Sequence, residues 1–209
     1  KSDFVIGPGR APHRLSVWLK KDDLVFHNGD DIRADLGKKL VKALNRPDYF
    51  GYSLKLANDQ DLLGEASPAA IGTLAYIAFE TRRLYEEMGA KGKFRPLEVT
   101  SLVEPEDFAH QKGKPEALAH SSGQVFDIDH SALPPAELEC LRFVLSDLGF
   151  AGYLGFVEDG MDNLHIGCSP RSREFFTSVF EEATGKPSGN HAGGEEEHAG
   201  GEGEMGRVQ

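Results

Sequence analysis

The chain has 209 residues, 39% of them hydrophobic and 27% charged, with a formal net charge of −11, which is long enough for one substantial domain with a sizeable core and too apolar for wholesale disorder. The acidic balance opposes an electrostatic grip on nucleic acid or anionic lipid, since both attract basic patches. No run approaches the roughly 18 apolar residues of a membrane span, and no signal-peptide pattern is read, so these bulk properties leave the compartment open.

Gly7, Pro8, Gly9 and Pro12 make residues 1–14 an irregular lead-in. Leu15–Leu19 and Leu24–Phe26 are short β-prone runs that pair as an expected hairpin. His27, Asp30 and Asp31 follow. Metal ligation is one reading of them, but Asn28-Gly29 is a turn signal, and Asp30 or Asp31 is the expected N-cap of a helix. Ile32, Leu36, Leu40, Val41 and Leu44 recur at helical spacing, which predicts that helix up to about Asn45. Residues 49–64 lack a period and read as a connector. Ser67-Pro68 supplies an N-cap and a first-turn proline for a long helix through Ile71, Leu74, Ala78, Tyr85 and Met88, ended by Gly89. Its Arg82 and Arg83 are most simply solvated.

Arg95–Leu102 alternates and is rich in β formers, predicting a central strand that Pro105 stops. Glu106–Ala119 is polar and broken by Gly113 and Pro115, a long loop bordering a cleft, with His110 exposed in it. Leu138, Leu141, Leu145 and Leu148 predict a helix closing at Gly149. Two strands, 153–157 and 164–167, form a hairpin across the acidic turn 158–162. Ser169-Pro170 opens a last helix whose Phe175, Phe176, Val179 and Phe180 read as a core stripe. Cys140 and Cys168 form no paired metal spacing and read as buried, unreactive thiols. From Gly189 onward Glu and Gly dominate, which predicts a disordered acidic tail and makes loose metal holding by His191 and His198 the lesser reading. The resulting division is an N-terminal region 1–64, a main domain 65–184 and a tail 185–209.

The chemistry concentrates in His120-Ser-Ser-Gly-Gln-Val-Phe-Asp127-Ile-Asp129 and Asp162-Asn-Leu-His165. Two imidazoles and one carboxylate converging from separate strands would form a three-ligand zinc site with a fourth position open. Gly123 would let the turn after His120 pass the metal without a Cβ clash, and Asp129, on the same strand face as Asp127, could orient a ligand. Asp162 is the candidate general base, with Glu158 as its alternative. The plain alternative is chance spacing, with His165 a hydrogen-bonded core residue.

HSSGQVFDID resembles the HxxGxAxD signature of zinc D-alanyl-D-alanine carboxypeptidases and dipeptidases of bacterial cell walls, whose fold is shared with the signalling domain of hedgehog proteins. The likeness runs from about Leu97 to Pro170. It implies an α+β fold with a small, mainly antiparallel sheet flanked by helices, and zinc ligands at His120, Asp127 and His165. Further, it implies a base in an ExxH motif, for which the chain offers Asp162. Ser101 and Ser122 are the candidate substrate contacts. The implied activity is hydrolysis of amide bonds in short peptidoglycan-type peptides containing D-Ala, in the cell envelope or outside the cell. Two departures oppose it: Asp is one methylene shorter than the family's Glu, and Val103-Glu104 stands where many members carry an Arg that binds a carboxylate or an oxyanion. A degenerate peptidase fold that binds metal or cell-wall peptide without cutting is the alternative these departures favour.

Overall fold

The structure, a computed structural model, describes residues 25–34, 39–43, 45–56, 64–111, 117–159 and 162–185. The expected hairpin up to Phe26 lies almost wholly outside them, as does the acidic tail beyond Gly185. Val25 and Phe26, which are described, are not in a strand.

The first helix departs from expectation. α1 covers only Gly29–Arg33 and is capped by Asn28, whose side chain accepts the Asp30 and Asp31 amides, while Asp31 returns the bond to the Asn28 backbone. Asp31 is therefore the third residue of a capping box rather than the cap itself. Val41–Lys42 forms β1, pairing antiparallel with β3, Glu65–Ala66. A β-branched residue offered a partner strand adopts the extended form despite helical spacing. Ile32 and Leu40 are buried as the spacing required, but in a cluster with Phe26 and Val103. The supposed connector holds α2, Pro47–Phe50, and β2, Tyr52–Leu54, joined by Gly51 at φ 74°.

α3, Pro68–Glu87, begins as its sequence dictates: Ser67 accepts the Ala70 amide and Pro68 occupies the first turn. It buries Ile71, Leu74, Ile77, Ala78 and Tyr85, and full burial of a Leu or Ile contributes about 1.5–3 kcal/mol. β4 is Leu97–Ser101. α4, Glu106–Gln111, and a 3-10 segment, Ala117–Ser122, occupy parts of the predicted loop. β5, Val125–Asp129, leads to α5, Pro135–Ala151, which runs past Gly149 to Gly152 because Gly152 takes the left-handed conformation that closes it. β6, Leu154–Asp159, and β7, Asn163–Cys168, form the expected hairpin. α6, Arg173–Thr184, starts later than Ser169-Pro170 suggested, since Ser169 accepts the Ser172 amide in a turn first. Phe176 and Phe180 are core, whereas Phe175 is 42% exposed.

Five strands form one sheet in the order β2-β4-β5-β7-β6; β2 runs parallel to β4 and every other pairing is antiparallel. The fold is thus α+β with a mainly antiparallel sheet, and β2 carries that sheet across the expected boundary at residue 64. Val99, Ile128, Leu164 and Ile166 join Leu74, Ile77, Leu141 and Leu145 of α3 and α5 in the core, so the helices cover one face of the sheet. α6 crosses α3 at Gly72, where a Cβ would lie 1.8 Å from the Phe176 carbonyl oxygen. Both cysteines are buried. Among the described residues no helix is long and apolar enough to cross a membrane.

Candidate metal centre

Strand register does most of the assembly. Ser101 of β4 lies opposite Asp127 of β5, and Asp127 lies opposite His165 of β7. Because the apolar partners Ile128 and Leu164 point to the helices, alternation sends Asp127 and His165 to the other face, whereas Ser101, two residues after the core residue Val99, is brought opposite Asp127 by a register shift between Val99 and Ser101. His120 reaches that face from the 3-10 segment. Gly123, at φ 66°, turns the chain from this segment into β5, with its amide returning to the His120 carbonyl at 3.0 Å. The reason for glycine differs from expectation: an added Cβ would meet Leu40 at 2.8 Å, with Ser67 and Phe26 next nearest, so the crowding comes from the N-terminal region.

The three side chains converge. His120 Nε2 lies 3.2 Å from Asp127 Oδ1, His165 Nδ1 lies 2.7 Å from the same oxygen, and the two ring nitrogens are 3.1 Å apart. Tetrahedral zinc with bonds of about 2.05 Å separates its ligand atoms by about 3.3 Å. The observed triangle is slightly smaller than such a face, so small rotamer adjustments suffice to admit an ion. The donor set, two imidazole nitrogens and a carboxylate oxygen, is also one that zinc accepts.

The outer partner of His120 fixes its orientation. Nδ1 is 2.7 Å from the Leu102 carbonyl, and a carbonyl can only accept, so Nδ1 carries the proton and Nε2 turns its lone pair to the cluster when the ring is neutral. His120 is 3% exposed, and the Asp127 and His165 side chains 22% and 15%. Burial opposes the charge on Asp127, yet the two imidazoles hold its pKa well below the ordinary carboxylate range. Burial likewise opposes a charged His120, but Asp127, Glu104 and the Leu102 carbonyl raise its pKa above the usual value.

The other expected residues are dispersed. Asp162 is exposed just before β7, its carbonyl accepting the His130 amide at 2.8 Å. Glu158 is not at the centre: register sets it opposite Leu164, on the helix-covered side, where Arg142 holds it at 2.6 Å and His130 at 3.2 Å. Ser122 is buried and accepts the Gln124 amide. Ser101 is also buried, its hydroxyl donating to Glu104 at 2.7 Å and lying 3.3 Å from His120 Nδ1. Both serines therefore serve the interior rather than an open surface. Asp129 accepts the amide and hydroxyl of Ser131 and so ends β5 instead of orienting a ligand. His27 bonds the exposed edge of Glu106 at 2.6 Å, apart from the cluster, and the His110 side chain lies outside the described residues.

Arg82, Arg83 and Arg95 lie outside the cluster. Arg83 pairs with Glu80 and Glu87, Arg82 contacts the Asp48 carbonyl, and Arg95 the Ala132 carbonyl. Among the described residues, His120, Asp127 and His165 form the one group of three or more His, Cys, Asp or Glu able to hold a metal ion. Glu104, standing where the resemblance leads one to expect an Arg, is buried and accepts the Ser101 hydroxyl. No protein-family model matches the chain, and no curated protein or solved structure is detectably similar to it.

Proposed function

We propose that the chain is a zinc-dependent, peptidase-like protein of the D,D-peptidase and hedgehog type, acting on amide bonds of short peptidoglycan-type peptides that contain D-Ala, in the cell envelope or outside the cell. The observation that carries this reading is the convergence of His120, Asp127 and His165, 45 residues apart from first to last, to ligand atoms within 4.8 Å of one another. When bound, zinc supplies a Lewis acid for the amide carbonyl and draws the pKa of water down toward about 7. His120, Asp127 and His165 would hold the ion, and the Leu102 carbonyl, accepting from His120 Nδ1, leaves the Nε2 lone pair turned to the cluster. Asp162, exposed just before β7 and outside the cluster, is the carboxylate that would have to turn toward it to take the proton of the attacking water and return it to the leaving amine.

Zinc content of protein purified without added metal tests the site. Close to one equivalent is expected, falling below a tenth in His120→Ala; no zinc in either would remove it. Incubation with muropeptides or D-Ala-D-Ala then tests the reaction, since new amines should form with the native chain and vanish in Asp162→Ala.

A second reading, binding of metal or peptide without cleavage, is favoured by one observation: Arg82, Arg83 and Arg95 are all engaged elsewhere, leaving none of them to stabilise an oxyanion. Saturable peptide association with full zinc occupancy and no product would select it.

A further inference from the structure

The backbone turn that carries His120 is held from several sides. The His120 carbonyl accepts the Gly123 and Glu104 amides at 3.0 and 3.3 Å, the Gly123 carbonyl accepts the Ser67 amide at 2.8 Å, and the Ser121 carbonyl accepts the Phe26 amide at 2.8 Å. Gly123 belongs to the turn itself, Glu104 follows β4 and Ser67 caps α3, so those holds come from the body of the domain. Phe26 is different. It lies on residues 25–27, outside any helix or strand, and its side chain is fully buried with Ile32, Leu40 and Val103 in a small cluster separate from the main core. The same segment also bonds the start of α4, because the Phe26 carbonyl accepts the Glu106 amide and the His27 carbonyl the Asp107 amide, both at 3.0 Å. His27 ties it further, its amide to Asp31 of α1 at 2.7 Å and its ring to Glu106 at 2.6 Å. A satellite cluster of this kind opens more readily than the main core.

Resting on the metal reading above, we propose that Phe26 is a positioning residue for the metal centre: residues 25–27 form a strap that holds the His120 turn in place, and release of the strap frees His120 from the ion while Asp127 and His165 stay on their paired strands. Backbone and ring act on the same turn. The Phe26 amide fixes the Ser121 carbonyl, and its ring fills the space beside Gly123, 3.8 Å from where a Cβ would stand. The side chain itself offers no ligand atom. Coupling of this kind is reciprocal, so whatever factor the closed strap adds to zinc affinity, bound zinc adds to the closed state of the strap. The N-terminal segment thereby sets how long an ion is retained.

The test is amide exchange by NMR on the native chain, zinc-free and zinc-loaded, together with the rate at which a chromophoric chelator strips Zn2+ from the native chain, Phe26→Ala, Phe26→Leu and Leu145→Ala. Zinc is expected to slow exchange of the Phe26, Glu106 and Asp107 amides about tenfold, while the Gly185 amide that closes α6 is unchanged. Phe26→Ala empties the small cluster and is expected to release zinc about tenfold faster. Phe26→Leu keeps the amide bond and an apolar side chain, so its release should stay within about threefold of native. Leu145→Ala opens a cavity in the main core, apart from the strap, and should lower the metal-free Tm with release within about twofold of native. That contrast separates a positioning role from a general loss of stability. Release from Phe26→Ala within about twofold of native, or release from Leu145→Ala as fast as from Phe26→Ala, would overturn the proposal. Should Phe26→Ala fail to fold, the exchange measurement on the native chain decides. A native chain that takes up no zinc overturns the metal reading and this inference together; a native chain that takes up zinc while the Phe26, Glu106 and Asp107 amides exchange as before overturns the inference alone.

Discussion

Gly72→Ala probes the crossing on which the helical layer is built. At Gly72 an added Cβ would stand 1.8 Å from the Phe176 carbonyl oxygen, 2.8 Å from its carbon and 3.2 Å from the Phe180 nitrogen. All three are backbone atoms, so no rotamer change relieves the contact, and α6 must retreat from α3 by more than about 1 Å in a close-packed interior. That retreat loosens Phe176 and Phe180 against α3 and the rings of Tyr76 and Tyr153 that meet Phe176 edge-on. Overpacking costs about 1–3 kcal/mol and more where backbone must move, whereas the helix-propensity gain of Gly→Ala is about 1 kcal/mol. The expected net loss is about 2 kcal/mol, or roughly 4–8 °C in Tm for a chain of this size. Thermal melting by circular dichroism, with zinc present and absent, measures it. An unchanged or higher Tm would refute the reasoning, because it would mean the helices do not cross this closely.

Zinc affinity should rise with pH by about tenfold per unit while a proton on His120 must be displaced, then level off above the raised His120 pKa; affinity flat from pH 5 to 8 would contradict this. For the metal-free protein the sign follows from the same groups. The His120 contribution is complete below its unfolded pKa of about 6.5 and is lost as pH rises through the higher folded value, while the Asp127 contribution is present above about 3.9 and is lost on acidification. Metal-free Tm should therefore peak between roughly pH 4 and 6.5. Glu158→Gln should leave zinc binding and any turnover intact and cost at most about 1 kcal/mol, since its pair with Arg142 is about half exposed; lost turnover would restore Glu158 as the base. Ser67→Ala removes both the cap of α3 and a buried bond to Gln124, 2.8 Å long. Denaturant titration should register a loss of about 1–2 kcal/mol, and no loss would count against that double role.

The parts of the molecule that were legible are those where local chemistry and global packing agree. α3 carries its own start signal and a continuous apolar stripe, and β4 alternates strictly, buried and half-buried by turns. Alternation along β5 and β7 likewise puts Asp127 and His165, two of the three candidate ligands, on one face. What was not legible depended on partners distant in sequence. Val41 followed a helical spacing yet took strand form because Ala66 offered an edge. β2 was too short for periodicity and exists because β4 lies beside it. The side of β6 that Glu158 occupies follows only from the register with β7, and the burial of Glu104 against Ser101 only from the tertiary fold.

The backbone supports of the three donors are unequal. Asp127 and His165 ride on neighbouring strands hydrogen-bonded to each other, whereas His120 sits on a short 3-10 turn beside the ladder. Local opening is easiest where the backbone lies outside a ladder. Exchange of an ion at this centre would accordingly begin at His120, its rate set by how often that turn loosens, while the two strand-borne donors stay in place as a waiting half-site.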